Sequence, residues 1–140
     1  MKNLGLQIEN RIDHVTEALS AVEAFVEKQG LPESLVMRVV VSLGEILTNV
    51  LSYGFEDDRT HLIEVFIEYA NDEIAIEIID DGKEFDPSSF PAPDLEADLD
   101  KRKIGGLGIH LVRNFMDRVR YARRDGRNHL SIAKALSTGD

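Results

Sequence analysis

Cysteine and tryptophan are missing from this chain of 140 residues, and proline occurs only four times. Without thiols there is no disulfide, no thiolate nucleophile and no cysteine-held metal, a composition that fits a reducing cytoplasm. No apolar run approaches the roughly 18–20 residues that span a bilayer, so no membrane partner is expected. The N-terminal residues lack the continuous apolar core of a signal peptide. His14, His61, His110 and His129 show no metal-ligand spacing. A nucleophile elbow, a Walker-type phosphate loop and a dinucleotide fingerprint are all absent. Basic residues are scarce beside acidic ones, 16 against 26, for a net charge of −10, which argues against direct nucleic-acid binding. What remains is 43% hydrophobic and 30% charged, the composition of one globular domain.

The charge is unevenly divided. Residues 101–140 hold ten Lys/Arg and three Asp/Glu, and residues 1–100 hold six and 23. A basic segment in an acidic chain is either a local anion site or a set of arginines that pair with the acids upstream. Residues 4–8 alternate as a short strand. From Ile12 to Lys28 the apolar residues recur at three- and four-residue steps, which predicts an amphipathic helix. Gly30 stops it, and Pro32 opens a second helix to about Ser52. Ile63 to Tyr69 and Ile74 to Ile79 predict a hairpin around Asn71-Asp72. Residues 82–104 carry three prolines and read as an irregular loop. Gly105-Gly106-Leu107-Gly108 opens a helix to about Met116. Val119 and Tyr121, then Leu130 and Ile132, mark two strands joined at Asp125-Gly126. The order β-α-α-β-β-α-β-β predicts an α+β two-layer sandwich, with a mostly antiparallel sheet and helices on one face. Phe25, Phe115 and Met116 sit at helical positions expected in the core.

Three features could carry chemistry. On the second helix, Arg38, Ser42, Glu45, Asn49 and Ser52 form a polar stripe apart from the apolar set Val36, Val39, Val40, Leu43, Leu47 and Val50. Glu45 and Asn49 stack one turn apart, either as a solvated face or as oxygens for a hard cation and a proton. In Asp80-Asp81-Gly82, strand parity places Asp80 at the end of the row Ile74, Ile76, Ile78. A carboxylate there either caps a turn or takes a donor such as an adenine amine, with Gly82 allowing close approach of a flat ring. The glycines at 105–108 are either a flexible helix start or a phosphate cradle, with Lys101, Arg102 and Lys103 adding positive charge upstream.

In this order the three features resemble the GHKL ATPase superfamily with its Bergerat nucleotide-binding fold. More narrowly, the chain resembles the anti-sigma-factor serine/threonine protein kinases of bacterial partner-switching systems. Residues 43–49 match the N-box, residues 80–87 the G1 box and residues 105–112 the G2 box. Residues 116–119 and 126–128 also look like this subfamily. The resemblance implies ATP and Mg2+ as cofactors. Asn49 would ligate the metal, and Glu45 would be the catalytic base or orient the nucleophile. Asp80, Gly82 and Phe85 would hold the base, and Gly105, Gly106, Leu107 and Gly108 the phosphates. Residues from about 88 to 104 would form a lid. The implied reaction moves the γ-phosphoryl group of ATP to a Ser or Thr of a STAS-like anti-anti-sigma antagonist. That antagonist would compete with a sigma factor for this chain, which would be a cytoplasmic homodimer. A non-catalytic ATP-binding module is the alternative, and the ATP-binding half of a histidine kinase a more distant one. The chain departs from the family at Glu84, where the G1 box commonly has a second glycine, and at Tyr53-Gly54, where many relatives have His-Ala.

Overall fold

A computed structural model describes residues 2–86 and 106–136. The elements are β1 (Lys2–Glu9), α1 (Ile12–Lys28), α2 (Glu33–Tyr53), β2 (Leu62–Ala70) and β3 (Glu73–Asp80). They are followed by α3 (Gly106–Phe115), β4 (Arg118–Arg124) and β5 (Arg127–Ala135). The five strands form one sheet in the order β1-β2-β3-β5-β4, every neighbouring pair antiparallel. The sandwich expected from the sequence is the fold observed.

Two tight turns have a direct physical origin. Asn71 and Asp72 have φ of 52° and 56°, and Asp125 and Gly126 have φ of 53° and 75°. Two successive positive φ values are what a two-residue hairpin needs to match strand twist, and Asn, Asp and Gly tolerate them best.

Strand periodicity then sorts the side chains. Ile63, Val65 and Ile67 of β2 and Ile74, Ile76 and Ile78 of β3 are buried, together with Leu130 and Ile132 of β5. They pack with Val15, Val22 and Val26 of α1, with Val36, Val39, Leu43 and Leu47 of α2 and with Val112 of α3. The opposite parity is left more open, as Leu62 (50% exposed) and Phe66 (45%) show. Register settles the uneven charge as well. Arg118 reaches Glu73 at 2.7 Å, Arg124 reaches Glu77 at 3.7 Å and Arg127 reaches Glu64 at 3.4 Å. These arginines pair with upstream acids. Exposed pairs of this kind are worth at most about 1 kcal/mol each.

Three expectations are corrected. α2 is 21 residues long with a mean hydropathy of 1.6 along its apolar stretch, enough in length and composition to cross a membrane. Arg38 and Glu45 interrupt the run in the sequence, and in the fold α2 is a core helix packed on α1, α3 and the sheet. In its polar stripe Ser42 is fully buried, Asn49 is 9% exposed and Arg38 and Glu45 are half-buried, so the solvated-face alternative holds only at Ser52. Met116 is buried but lies one residue past the end of α3, while Phe25 and Phe115 are only half-buried.

Candidate nucleotide site

α3 lies along the stripe on α2 from Arg38 to Glu45. Arg38 sits 5.2 Å from the centre of the Phe115 ring, a cation–π contact. Seven residues further along α2, Glu45 meets Gly108, seven residues back along α3. The two helices therefore run antiparallel. A β-carbon at Gly108 would lie 2.6 Å from Glu45 Oε2, so the glycine permits the close approach. Leucine and valine would fill such a seam in an ordinary bundle; here it holds a half-buried carboxylate. Among the described residues Glu45 has no hydrogen bond or ion pair. The Asn49 Nδ2 atom, one turn on, is buried with no partner. Buried amides are nearly always satisfied, so an orphaned one beside a cleft marks a place where a ligand would complete the bonding.

The cleft lies between α2 and the end of the sheet. Asn49 and Val50 line it on one side, Asp80, Tyr121 and Asn128 on the other, with Phe85 at its edge. Its open volume is about 30 Å³.

Asp80 is 6% exposed, at the end of the buried row of β3. Its Oδ1 accepts hydrogen bonds from the Gly82 amide (2.8 Å) and from Asn128 Nδ2 (2.9 Å). Gly82 is buried against the carbonyl of Gly54, whose oxygen would lie 2.5 Å from a β-carbon there. The Lys83 amide donates to that same carbonyl at 2.8 Å. Gly82 thus lets the segment after β3 close onto the end of α2. Phe85 stacks on Tyr53 with ring centres 6.4 Å apart. The Glu84 side chain is exposed, away from the cleft lining.

Of the candidate residues, Glu45 and Gly108 are brought together between α2 and α3, and Asn49, Asp80 and Phe85 line one cleft. Gly106 and Leu107 are the first residues of α3. Gly105, the Lys101–Lys103 run and the 88–104 segment lie outside the described residues.

Sequence reasoning missed three partners. Asn128 faces Asp80 directly across β3 and β5. Arg123 donates to the Gly82 carbonyl (2.7 Å) and to Asn128 Oδ1 (3.1 Å). Burial raises the Tyr121 hydroxyl above its usual range, and the backbone of Phe85 hydrogen-bonds to it and partly opposes that rise. Long-range strand pairing alone joins these groups to Asp80, and spacing in the sequence carries no trace of it. His61, which has no metal spacing, bridges two carboxylates instead. Its Nε2 is 2.7 Å from Asp57 and its Nδ1 is 2.9 Å from Asp81, with the Phe55 ring stacked on it at 4.3 Å. The bond to Asp57 raises the imidazole above its ordinary value, and the bond to Asp81 adds to the rise.

A two-layer sandwich with a carboxylate and an amide on a core helix, facing a glycine-rich helix start and a buried strand-end aspartate, defines a nucleotide-handling ATPase fold. The chain belongs to the histidine kinase-like ATPase domain family, whose profile matches residues 8–134. It is 31% identical over 117 residues to the serine/threonine-protein kinase BtrW of Bordetella bronchiseptica, covering 84% of this chain and 82% of that protein. It is 29% identical over 91 residues to the serine-protein kinase RsbW of Staphylococcus aureus, covering 61% of this chain and 57% of that one. Among solved structures, the RsbU and RsbW domains of a Mycobacterium tuberculosis protein share the fold, with a TM-score of 0.67 at 12% identity. That match covers 96% of this chain and 32% of the longer one. Membership of the family implies use of ATP.

Proposed function

We propose that this protein is an ATP-dependent serine/threonine protein kinase that acts as an anti-sigma regulatory factor. The observation that carries the reading is the meeting of Glu45 with Gly108, residues about 60 positions apart, one helical turn from the orphaned buried amide of Asn49. The names of the relatives in the same family support the kinase activity.

In the proposed reaction a Ser or Thr hydroxyl oxygen of an antagonist protein attacks the γ-phosphorus of ATP. The bond from that phosphorus to the β–γ bridging oxygen breaks, and ADP leaves. The hydroxyl proton passes to the Glu45 carboxylate, or Glu45 orients the hydroxyl. Such transfer needs positioning and charge neutralisation more than covalent help from the protein. Gly106, Leu107 and Gly108 offer backbone N–H groups at the start of α3 to the phosphates, and the resemblance assigns Gly105 to the same group. Asp80 takes the adenine amine, with Gly82 and Phe85 around the base. The orphaned Asn49 Nδ2 is a donor and fits an acceptor such as a phosphate oxygen, while Oδ1 of the same amide is the atom a hard cation would take. When bound, Mg2+ supplies charge neutralisation to the phosphates.

The unphosphorylated antagonist, a STAS-like anti-anti-sigma protein, then competes with a sigma factor for this chain, which works as a homodimer in the cytoplasm. Incubation with γ-labelled ATP, magnesium and candidate antagonists tests the reading. Label moves to the antagonist in the native protein, and Glu45→Gln abolishes transfer while retaining nucleotide. Nucleotide-dependent partner binding with no transfer in the native protein refutes the kinase and leaves a regulatory ATP-binding module.

A further inference from the structure

The segment that follows α2 closes against the segment that follows β3 through a series of contacts. Tyr53 stacks on Phe85, the Lys83 amide donates to the Gly54 carbonyl, and the Lys83 ammonium lies 3.4 Å from Glu56. The last contact in the series is His61, immediately before β2, whose Nδ1 is 2.9 Å from Asp81. Gly54 and Phe85 also line the cleft, so this closure forms one of its walls.

His61 is the member that titrates near neutral pH. Its Nε2 is 2.7 Å from Asp57, and its side chain is 16% exposed. Its amide donates to Asn10 Oδ1 and the Phe55 ring stacks on it, which fixes the imidazole between the two carboxylates. Glu64 of β2 and Arg127 of β5 line the same small cavity and lie 3.4 Å from each other, and β1 brings only the neutral Gln7 to it.

A protonated imidazole donates from both nitrogens and holds both carboxylates at once. A neutral imidazole has a single N–H, so one of the two contacts becomes a lone pair facing a carboxylate. Asp57 makes the shorter contact and lies four residues away in the same segment, so the remaining proton stays on Nε2. Asp81 is then the carboxylate released, and it is the one that spans the closure.

We propose that His61 is a proton-operated latch on the cleft wall: protonated, it ties the segment after α2 to Asp81 and slows nucleotide release, and neutral, it lets Asp81 go and release speeds up. This rests on the reading of the cleft as a nucleotide site. The two carboxylates raise the imidazole above its ordinary 6.5, which puts the change above that pH. The nucleotide-bound state therefore lasts longer in acid than in mildly alkaline solution.

The test is stopped-flow release of ADP carrying a fluorescent ribose label from the full chain with magnesium, chased with excess ATP between about pH 5.5 and 8.5. The native rate is expected to rise about three- to fivefold across one transition, the worth of a half-exposed charge pair. His61→Gln is expected to remove that transition. The phosphates of ADP titrate in the same range, and a transition that belongs to them persists in the variant. Asp81 lies outside the cleft lining, and Asp81→Ala is expected to release at the fast rate at every pH. A native rate that ignores pH, a transition that survives in His61→Gln, or one that survives in Asp81→Ala overturns the proposal. Amide NMR of the nucleotide-free chain adds a readout that needs no ligand. The Lys83 amide, which donates across the closure, is expected to shift with the midpoint of the His61 ring, and a Lys83 amide indifferent to that ring also overturns the latch. If the native protein binds no ADP, the nucleotide reading falls and the latch with it; if it binds ADP and releases it at one rate throughout, the latch alone falls.

Discussion

Replacing Gly108 by alanine should separate stability from activity. The new β-carbon would sit 2.6 Å from Glu45 Oε2 and 3.5 Å from its Cδ. Ordinary contact begins near 3.4 Å, so something must yield by about 0.8 Å. The atom met is the far end of a flexible side chain, so the carboxylate moves and the helices stay. Removing a glycine from a helix gains up to about 1 kcal/mol, which offsets the cost of moving Glu45. The Gly108→Ala protein should therefore melt within about 1 kcal/mol of the native one. Its rate of phosphoryl transfer should fall by about 100-fold, the usual cost of misplacing a reacting group by about 1 Å. Melting curves and γ-labelled ATP turnover measure the two quantities. A double-mutant cycle read in stability assigns the cause: on a Glu45→Ala background the added methyl meets no carboxylate, so Gly108→Ala should raise stability by up to about 1 kcal/mol. An unchanged rate in the single variant, or no gain in stability without Glu45, would refute the role given to this contact.

Ser42 is fully buried with its hydroxyl unpaired, so it contributes a desolvation cost with no return. Ser42→Ala should stabilise the protein by about 1 kcal/mol and raise Tm by roughly 3–5 °C; a lower Tm would show that the hydroxyl is satisfied in solution. His61 predicts a pH dependence. Its folded value is raised above the ordinary 6.5 by Asp57 and Asp81, so the stabilisation is fully present below about pH 6.5 and is lost as pH rises through the folded value. The Tm advantage of the native protein over His61→Gln should therefore shrink between pH 6 and 8, and a constant difference would sink this account.

Local rules made much of this protein legible before any coordinates. Three-residue apolar steps placed α1 from Ile12 to Lys28, the bounds observed. Alternation in β3 put Asp80 on the buried row, because a strand has period two and Ile74, Ile76 and Ile78 could face only the core. Asn71-Asp72 and Asp125-Gly126 announced their turns because few residues accept positive φ. Glu45, Asn49 and Gly108 were legible as residues with chemical capacity, and their order along the chain pointed to one family.

Which groups meet was decided in three dimensions. Taken alone, Glu45 and Asn49 on α2 read as a plain solvated face until α3 packs beside them, and helix docking depends on a seam whose two sides lie about 60 residues apart. The charge division between residues 1–100 and 101–140 resolves into cross-strand pairs only once β2, β3, β4 and β5 are in register. Asn128 and Arg123 become partners of Asp80 and Gly82 through the pairing of β3 with β5, strands separated in the sequence by α3 and β4. Periodicity reports a residue's own surroundings along a helix or strand; the identity of the group opposite is a property of the packed sheet alone.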